Sequence, residues 1–581
     1  MKMKTTTRFP LNSKKSKAEQ IYRRFRYIII ILLILVLQYY YKRKRKINNI
    51  IEENFFVIDS NNLNEVHSHM YGFSVSINGI LTNNYYNKIN YNEIPEPIGT
   101  YVLVRKYKNE IKINQDYNGG FGLYIYENRK IGYFSISNSF LLLVEHLSNK
   151  KINLTLNKEY SDNFILSSMC SSIIQETMIK EIISLPPNSF IIIDIQKKLV
   201  NVQYIDYKER TISLYSKEGL KIIDKWADKW GYIFRSLIKK TKNILCNLSG
   251  GFDTRTVLSI LLNSGIDIKN ISINSIYSES YMDDFLISSN ISSKYQFKLN
   301  EKILDKNSIA WNMEDTLFGS MYAKLGFHKW FILHGRFFDK PRFAIQGNGG
   351  EMLRGYPGEP IGKYIEAISL PSREIKGHEK EFFNTSIKIF KRSIDLLKKK
   401  WHFKNDYEIS TSLYLRGRNR NHFGKLSLEN YISNIYSLTP LIDPDILRIR
   451  FDNNEKSQHD LVSYIYVRFA HDLIYFPFQK NRTLNPESIK KAEILNEKIS
   501  PYKIKYDYNK NFYIDNMRKS PVKAVPLDNN KNNITEYLEK MFKSSRFIQI
   551  ISKIYDYTIY KWLLRYKCGI LTIVKILENL K

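Results

Sequence analysis

The residues best suited to chemistry lie in two short glycine-rich segments. The first reads Ile244-Leu-Cys-Asn-Leu-Ser249-Gly250-Gly251-Phe252-Asp253-Thr254-Arg255 and runs into an apolar stretch, Val257–Leu262. A buried strand that passes through Ser-Gly-Gly into a helix has the logic of an anion cradle. Glycines let backbone N–H groups converge on phosphate oxygens at a helix N-terminus, where the dipole adds to them. Ser249 supplies a hydroxyl, and Asp253 a carboxylate of the kind Mg2+ takes together with phosphate oxygens. No Gly-Lys-Ser/Thr follows, so this is not a Walker A loop. The second segment, Ala344-Ile-Gln-Gly347-Asn348-Gly349-Gly350-Glu351-Met352-Leu353-Arg354-Gly355-Tyr356, is again strand-like, then glycine-rich, then acidic. Alone, the first segment also reads as a plain Gly-Gly turn with an acidic cap. The second lowers that reading, because loops at the carboxyl ends of neighbouring strands in an open α/β sheet meet in one crevice. Together the two turns could hold a magnesium pyrophosphate, with Asp253 and Glu351 as metal ligands.

Both segments resemble motifs of the asparagine synthetase family. Its pyrophosphate loop reads SGG-x-D-S followed by Ser or Arg, and its later motif reads G-x-G-G-D-E-L-F-G-G-Y. Here Glu351 stands for the Asp, Met352 for the Glu, and one Gly is missing. Between them, Ile271-Ser-Ile-Asn-Ser-Ile276 resembles the strand beside the adenine, and Asp283-Asp284 the acidic pair that opens the next helix. Arg416-Gly-Arg-Asn-Arg-Asn-His422-Phe-Gly424 and Ser437-Leu-Thr-Pro440-Leu-Ile-Asp443-Pro444 resemble the family's arginine-bearing helix and its "PLLD" segment. Arg416, Arg418 and Arg420 read equally well as a solvated basic helix face. Lys480 or Arg482, after Phe476-Pro477-Phe478, is similar to the late basic residue that neutralises charge at the reacting centre, a catalytic role. The histidines, His422 included, are unclustered and read as structural.

The resemblance covers roughly residues 215–485. It implies a PP-loop ATP pyrophosphatase fold, a parallel sheet with helices on both faces, and the cofactors ATP and Mg2+. It assigns Ser249, Gly250, Gly251, Asp253, Thr254, Arg255, Ser272, Ile273, Gly347, Gly349 and Gly350 to the nucleotide, and Asp253 and Glu351 to the metal. The implied reaction activates a carboxylate as an acyl-adenylate, which an amine or ammonia then attacks. The implied partners are a small-molecule or glycan-linked carboxylate and an amine donor. Two rivals stand beside this: an inactive membrane-tethered pseudoenzyme, and a PP-loop enzyme that adenylates a base in tRNA.

Residues 51–205 resemble, more weakly, the glutaminase domain that precedes the synthetase in this family, an α+β Ntn-hydrolase fold. Gly99-Thr-Tyr-Val, Asp116-Tyr-Asn-Gly119, Leu123-Tyr-Ile-Tyr126 and Ile183–Phe190 fall in the expected order. That domain's nucleophile is an N-terminal cysteine whose own amine serves as base. This chain begins Met1-Lys2, and its first cysteine is Cys170, so the expectation is a remnant without glutaminase activity.

The elements that must position these residues follow from pattern. Short β-rich segments at Phe55–Ile58, Tyr71–Ile77, Tyr101–Val104, Gly122–Tyr126 and Ile131–Ser135 precede a hairpin, Ser189–Asp194 with Leu199–Tyr204. Beyond residue 215, helical stretches alternate with short buried strands, the α/β pattern. The expected division is a basic tail at 1–50, a remnant domain at 51–205, an ATP pyrophosphatase domain at 206–515 and a helical extension at 516–581. Within the tail, Tyr27–Tyr41 is apolar and aromatic and ends on Lys42–Lys46. As a helix it spans about 22 Å, short of a hydrocarbon core of roughly 30 Å, so 27–41 is a candidate anchor completed by snorkelling cations. The expected location is the cytoplasm, with a tether to the inner face of the cell membrane if 27–41 is an anchor. The 43% hydrophobic content suits sizeable cores. Cys170, Cys246 and Cys568 are too scattered for a disulfide framework or zinc site. The net charge of +32 comes from lysine spread along the chain, without a nucleic-acid recognition motif, so nucleic acid is not an expected partner.

Overall fold

The computed structural model describes residues 48–514, apart from residues 158, 339 and 508 and the stretches 161–173, 206–209, 302–307, 311–312, 325–335, 355–378, 402–405, 452–457 and 505–506. The expected anchor at 27–41 and the helical extension at 516–581 lie outside the described residues, as do Cys170 and Cys568. Among the described residues no helix is long and apolar enough to cross a membrane.

The chain is mixed α/β, with several sheets. Its first part supplies β1 (Val57–Asp59), β2 (His69–Ser76), β3 (Gly79–Thr82), β4 (Gly99–Lys106), β5 (Glu110–Gln115), β6 (Leu123–Asn128), β7 (Tyr133–Ser137), β8 (Ile182–Leu185), β9 (Ser189–Asp194) and β10 (Leu199–Tyr204). One antiparallel sheet runs β1-β7-β6-β8, and a second runs β10-β9-β5-β4-β2-β3. The hairpin β9–β10 pairs in the register its sequence suggests, Ser189 opposite Tyr204 and Asp194 opposite Leu199. β3 and β5 were not expected. In β5, Glu110-Ile-Lys-Ile-Asn-Gln looks polar, yet its alternation buries Ile111 and Ile113 fully while the charged residues face out.

Helix α1 (Phe140–Asn149) follows β7 and starts on Ser139, whose hydroxyl accepts from the Leu142 N–H. The long helix α2 (Lys217–Lys240) is capped likewise by Ser216 on the Gly219 N–H. Leu220, Ile223, Trp226, Trp230, Phe234 and Leu237 recur at helical spacing and are all buried. The later sheet is wholly parallel. It comprises β11 (Ile244–Asn247), β12 (Ser272–Asn274), β13 (Arg342–Ile345) and β14 (Ile435–Leu438), in the order β12-β11-β13-β14.

The two parts share one core. Phe73 of β2 packs on Tyr431 and Tyr436, with ring centroids 5.8 and 4.9 Å away. The chain also returns late: Tyr513 and Ile514 pair in parallel with Gly79 and Ile80, covering the free edge of β3. The last strand of segment 206–515 thus joins the first sheet system. Between α5 (Met313–Lys324) and α6 (Lys425–Ile432), Lys324 and Glu429 form an ion pair, each nearly inaccessible to solvent. (Helices α3, Phe252–Asn263, and α4, Met282–Tyr295, lie between α2 and α5.)

The solvated basic face that was one reading of Arg416 to Arg420 does not form. Tyr414–Gly424 is a π-helix, and Arg416 and Arg420 are only 3% and 0% exposed. Packing against the Gly122 region removes Arg420 from water, which no local pattern could announce, while Arg418 stays partly exposed.

Two stability experiments follow. Lys324→Met strands a buried carboxylate and should cost about 3–5 kcal/mol, read from urea unfolding, while Lys324→Met with Glu429→Leu should recover most of it. His69 is held down to about 4 by burial, against an unfolded value of 6.5. The unfolded chain therefore binds the extra proton between these values, and stability is lost as pH falls from 6.5 toward 4. His69→Gln should flatten that part of the stability–pH curve.

Candidate functional site

The chain passes from β11 to β12 on one side and then crosses to β13 on the other. The strand order thus reverses at β11, the place where open α/β sheets form a crevice at the carboxyl ends of their strands. The turn Ser249–Gly251 follows β11, and the turn Gly347–Gly350 follows β13. The two turns touch. A Cβ on Gly347 would lie 2.7 Å from the Thr254 nitrogen, and one on Gly350 would lie 2.3 Å from the Asp253 carboxyl carbon. Glycine at these positions is a condition for bringing the second turn onto the first turn of α3.

Gly251 is the N-cap of α3 and leaves the helix end without a side-chain cap. Its N–H donates to Ser249 Oγ at 3.2 Å, and Ser249 Oγ lies 3.0 Å from Thr254 Oγ1. The Ser249 N–H donates to Thr254 Oγ1 at 3.0 Å. Ser249, Gly251 and Thr254 therefore form a small hydrogen-bonded ring whose donors sit at a positive helix end. The Gly250 N–H is directed elsewhere, to Asp284 Oδ1 at 2.7 Å.

Asp253 stands in the first turn of α3, facing the second loop. Its carboxylate accepts from Arg354 Nε at 3.1 Å and Nη2 at 3.2 Å. Burial raises this carboxyl to about 6; Arg354 opposes the rise and the Glu351 carboxylate adds to it. Glu351 accepts a 2.7 Å hydrogen bond from the Tyr414 hydroxyl. Asp253 and Glu351 thus come from different loops and repel one another across the crevice. Among the described residues no group of three or more His, Cys, Asp or Glu side chains could hold a metal ion unaided. Two carboxylates suit Mg2+ that arrives with phosphate oxygens to complete its shell.

The late basic segment lies over the first turn. Phe478 stacks on Phe252 at 4.0 Å, the Gln479 N–H donates to the Gly250 carbonyl at 2.9 Å, and Gln479 Nε2 donates to Asp284 Oδ2 at 2.9 Å. The Lys480 N–H donates to Asp283 Oδ2 at 2.9 Å. Lys480 and Asn481 take left-handed backbone, φ 62° and 52°, which turns the chain back on itself. The side chains of Lys480 and Arg482 are exposed at the rim, and the guanidinium groups of Arg482 and Arg354 lie 5.4 and 5.2 Å from the Phe252 ring.

Arg255 is placed apart from the crevice. Its guanidinium is buried, lies 3.7 Å from the Phe478 ring and donates to the carbonyls of Phe476 and Pro477 at 2.9 and 2.6 Å. It straps the late segment in place. Ser272 and Ile273 pair with Leu245 and Cys246, and the Ile273 carbonyl accepts from the Asn300 N–H at 2.9 Å. Just beyond them Ile276 and Tyr277 are 61% and 68% exposed, an apolar surface at the carboxyl end of β12. The Pro440–Asp443 segment is structural in its contacts: Trp226 Nε1 donates to the Pro440 carbonyl, and Trp230 Nε1 and Lys229 hold the buried Asp443.

Arg354, Asp284 and Gln479 were not assigned to the site from sequence. The acidic pair opening α4 was a usable signal for Asp284; nothing local marks Gln479, which reaches the loop only through tertiary packing. No model of a known family matches the chain, and no curated protein matches it.

Gly350→Ala should force the two turns apart. The expected cost is about 1–3 kcal/mol of stability, with loss of any ATP-induced thermal stabilisation, both read in one melting series.

Proposed function

We propose that this chain is an ATP-dependent carbon–nitrogen ligase that activates a carboxylate as an acyl-adenylate for attack by an amine or ammonia. The observation that carries the reading is the contact of two glycine-rich turns at the point where the sheet order reverses, with Asp253 on one turn close enough to feel the charge of Glu351 on the other. On this reading the parallel sheet is a PP-loop ATP pyrophosphatase core, and the two antiparallel sheets are an amidotransferase-like remnant that now serves as a packing partner.

The chain's own groups divide the work. Ser249, Gly251 and the open end of α3 bind the pyrophosphate, and Gly347 and Gly350 let the second loop close against it. Arg354, Lys480 and Arg482 balance its charge. The apolar surface at Ile276 and Tyr277 suits a flat purine, beside Ser272 and Ile273. Asp253 and Glu351 would hold Mg2+, which would supply charge neutralisation on the phosphates. The carboxylate is a small molecule or a glycan-linked group, and the work is done in the cytoplasm, at the inner face of the membrane if 27–41 anchors the chain.

A second reading has its own observation. The Arg354 guanidinium already occupies both oxygens of Asp253. An internal cation at that position suits an inactive relative that keeps the fold and dispenses with the metal.

The two readings separate in one experiment. The full chain is incubated with Mg·ATP and a small-molecule extract of the source cells, beside Asp253→Ala. The ligase reading expects AMP and pyrophosphate in equal amounts, dependent on the extract and reduced at least ~100-fold in the variant. Equal release from both proteins, or no release and no thermal stabilisation by ATP, overturns it; the latter favours the inactive reading.

A further inference from the structure

A second polar centre lies between the two parts of the chain, apart from the glycine-rich turns. The π-helix Tyr414–Gly424 carries Arg420, which is completely buried. None of its three guanidinium nitrogens meets a hydrogen-bond partner among the described residues. The guanidinium is pressed against the first part of the chain: a Cβ on Gly122 would lie 3.0 Å from Nη2 and 2.6 Å from the Tyr124 hydroxyl. A buried guanidinium keeps its charge and presents its donors as a rigid planar fork, so an empty fork of this kind asks for an acceptor.

The neighbours do not supply one. Asp116 is near enough to feel the charge of Arg420, but both its oxygens are engaged by backbone. Oδ1 accepts from the Asn118 and Gly119 N–H groups at 2.9 and 2.8 Å, and Oδ2 from Tyr101 and Gly120 at 2.9 and 3.3 Å. Lys425, also buried, adds a second cation and donates to the Phe121 carbonyl. The buried pair Lys324–Glu429 cancels itself. The Arg420 guanidinium is thus buried without a hydrogen-bond acceptor among the described residues, beside a carboxylate already engaged by four backbone N–H groups. Burial pulls the Arg420 guanidinium downward from its ordinary value, against the opposing effect of Tyr124, Tyr160 and Asp116.

We propose that Arg420 marks a buried site for one small carboxylate, held between the Asp116–Tyr124 segment and the π-helix. The two oxygens of a carboxylate match the guanidinium fork in a bidentate pair, and its charge complements that of the guanidinium. The ligand is small, because side chains are already excluded around it: a Cβ on Gly120 would lie 2.8 Å from Thr100 and 2.9 Å from the Gly424 carbonyl. The site also borders the glycine-rich crevice. Asn419, next to Arg420, donates to Asn118 Oδ1 at 2.6 Å, and its own Oδ1 lies 3.9 Å from where a Gly349 Cβ would be.

The proposal needs no nucleotide and stands whether or not the ligase reading does. The probe is formate, compared with chloride at equal ionic strength and with inorganic phosphate, on the full chain without ATP. A saturable rise in melting temperature is expected with formate, absent in Arg420→Met. No rise over chloride, a rise that survives Arg420→Met, or a response to phosphate alone would each overturn it. Should Arg420→Met fail to fold, equilibrium dialysis of radiolabelled formate with the wild-type chain decides. One formate bound per chain and undisplaced by ATP supports the site; none bound, or formate displaced by ATP, overturns it.

Discussion

Much of the structure around the crevice depends on how closely one backbone approaches another. The second glycine-rich turn sits against the first turn of α3 so tightly that a methyl group at Gly347 or Gly350 would collide with Thr254 or Asp253. This contact sets the distance between two carboxylates that come from strands far apart in sequence. It also sets where Arg354 falls, because Arg354 closes the short helical turn that begins at Gly350. Loosening the contact would leave each loop intact and remove the relation between them, which is the property any phosphate-binding role requires.

A second layer holds the first in place. Arg255 spends its guanidinium on the carbonyls of Phe476 and Pro477 and on the face of Phe478, while Phe478 stacks on Phe252. The late segment is thereby fixed from behind, and Gln479 and Lys480 reach Gly250 and the Asp283-Asp284 pair from the front. Asp284 is shared between the two, bonding the loop with one oxygen and the late segment with the other. An arginine expected at the nucleotide is thus a positioning residue for the segment that carries Lys480 and Arg482.

The first part of the chain contributes more than a neighbouring module would. Its sheet takes Tyr513–Ile514 as an edge strand, its Phe73 enters the aromatic cluster with Tyr431 and Tyr436, and its Asp116–Tyr124 segment faces the π-helix. The π-helix links the two regions, with Tyr414 on Glu351 at one end and Asn419 on Asn118 further along. A change at either region therefore has a packed route to the other.

By itself the sequence determined the local pieces. The hairpin Ser189–Tyr204, the helix after Ser-Gly-Gly, and the strand before each glycine-rich turn were legible because alternation, helical spacing and turn chemistry are local properties. The shared position of the two turns was legible as well, since loops after neighbouring parallel strands meet in one place. β5 was hidden, because its outward-facing Glu110, Lys112 and Asn114 mask a buried apolar face. Tertiary structure alone decided which polar groups would be removed from water and which partners they would find. Arg255 and Arg420 are both arginines near glycines on helical segments, yet both terminal nitrogens of one find carbonyls and the other meets no acceptor among the described residues. That difference arises from segments hundreds of positions away folding over one and beside the other, and desolvation by distant chain leaves no trace in the residues it covers.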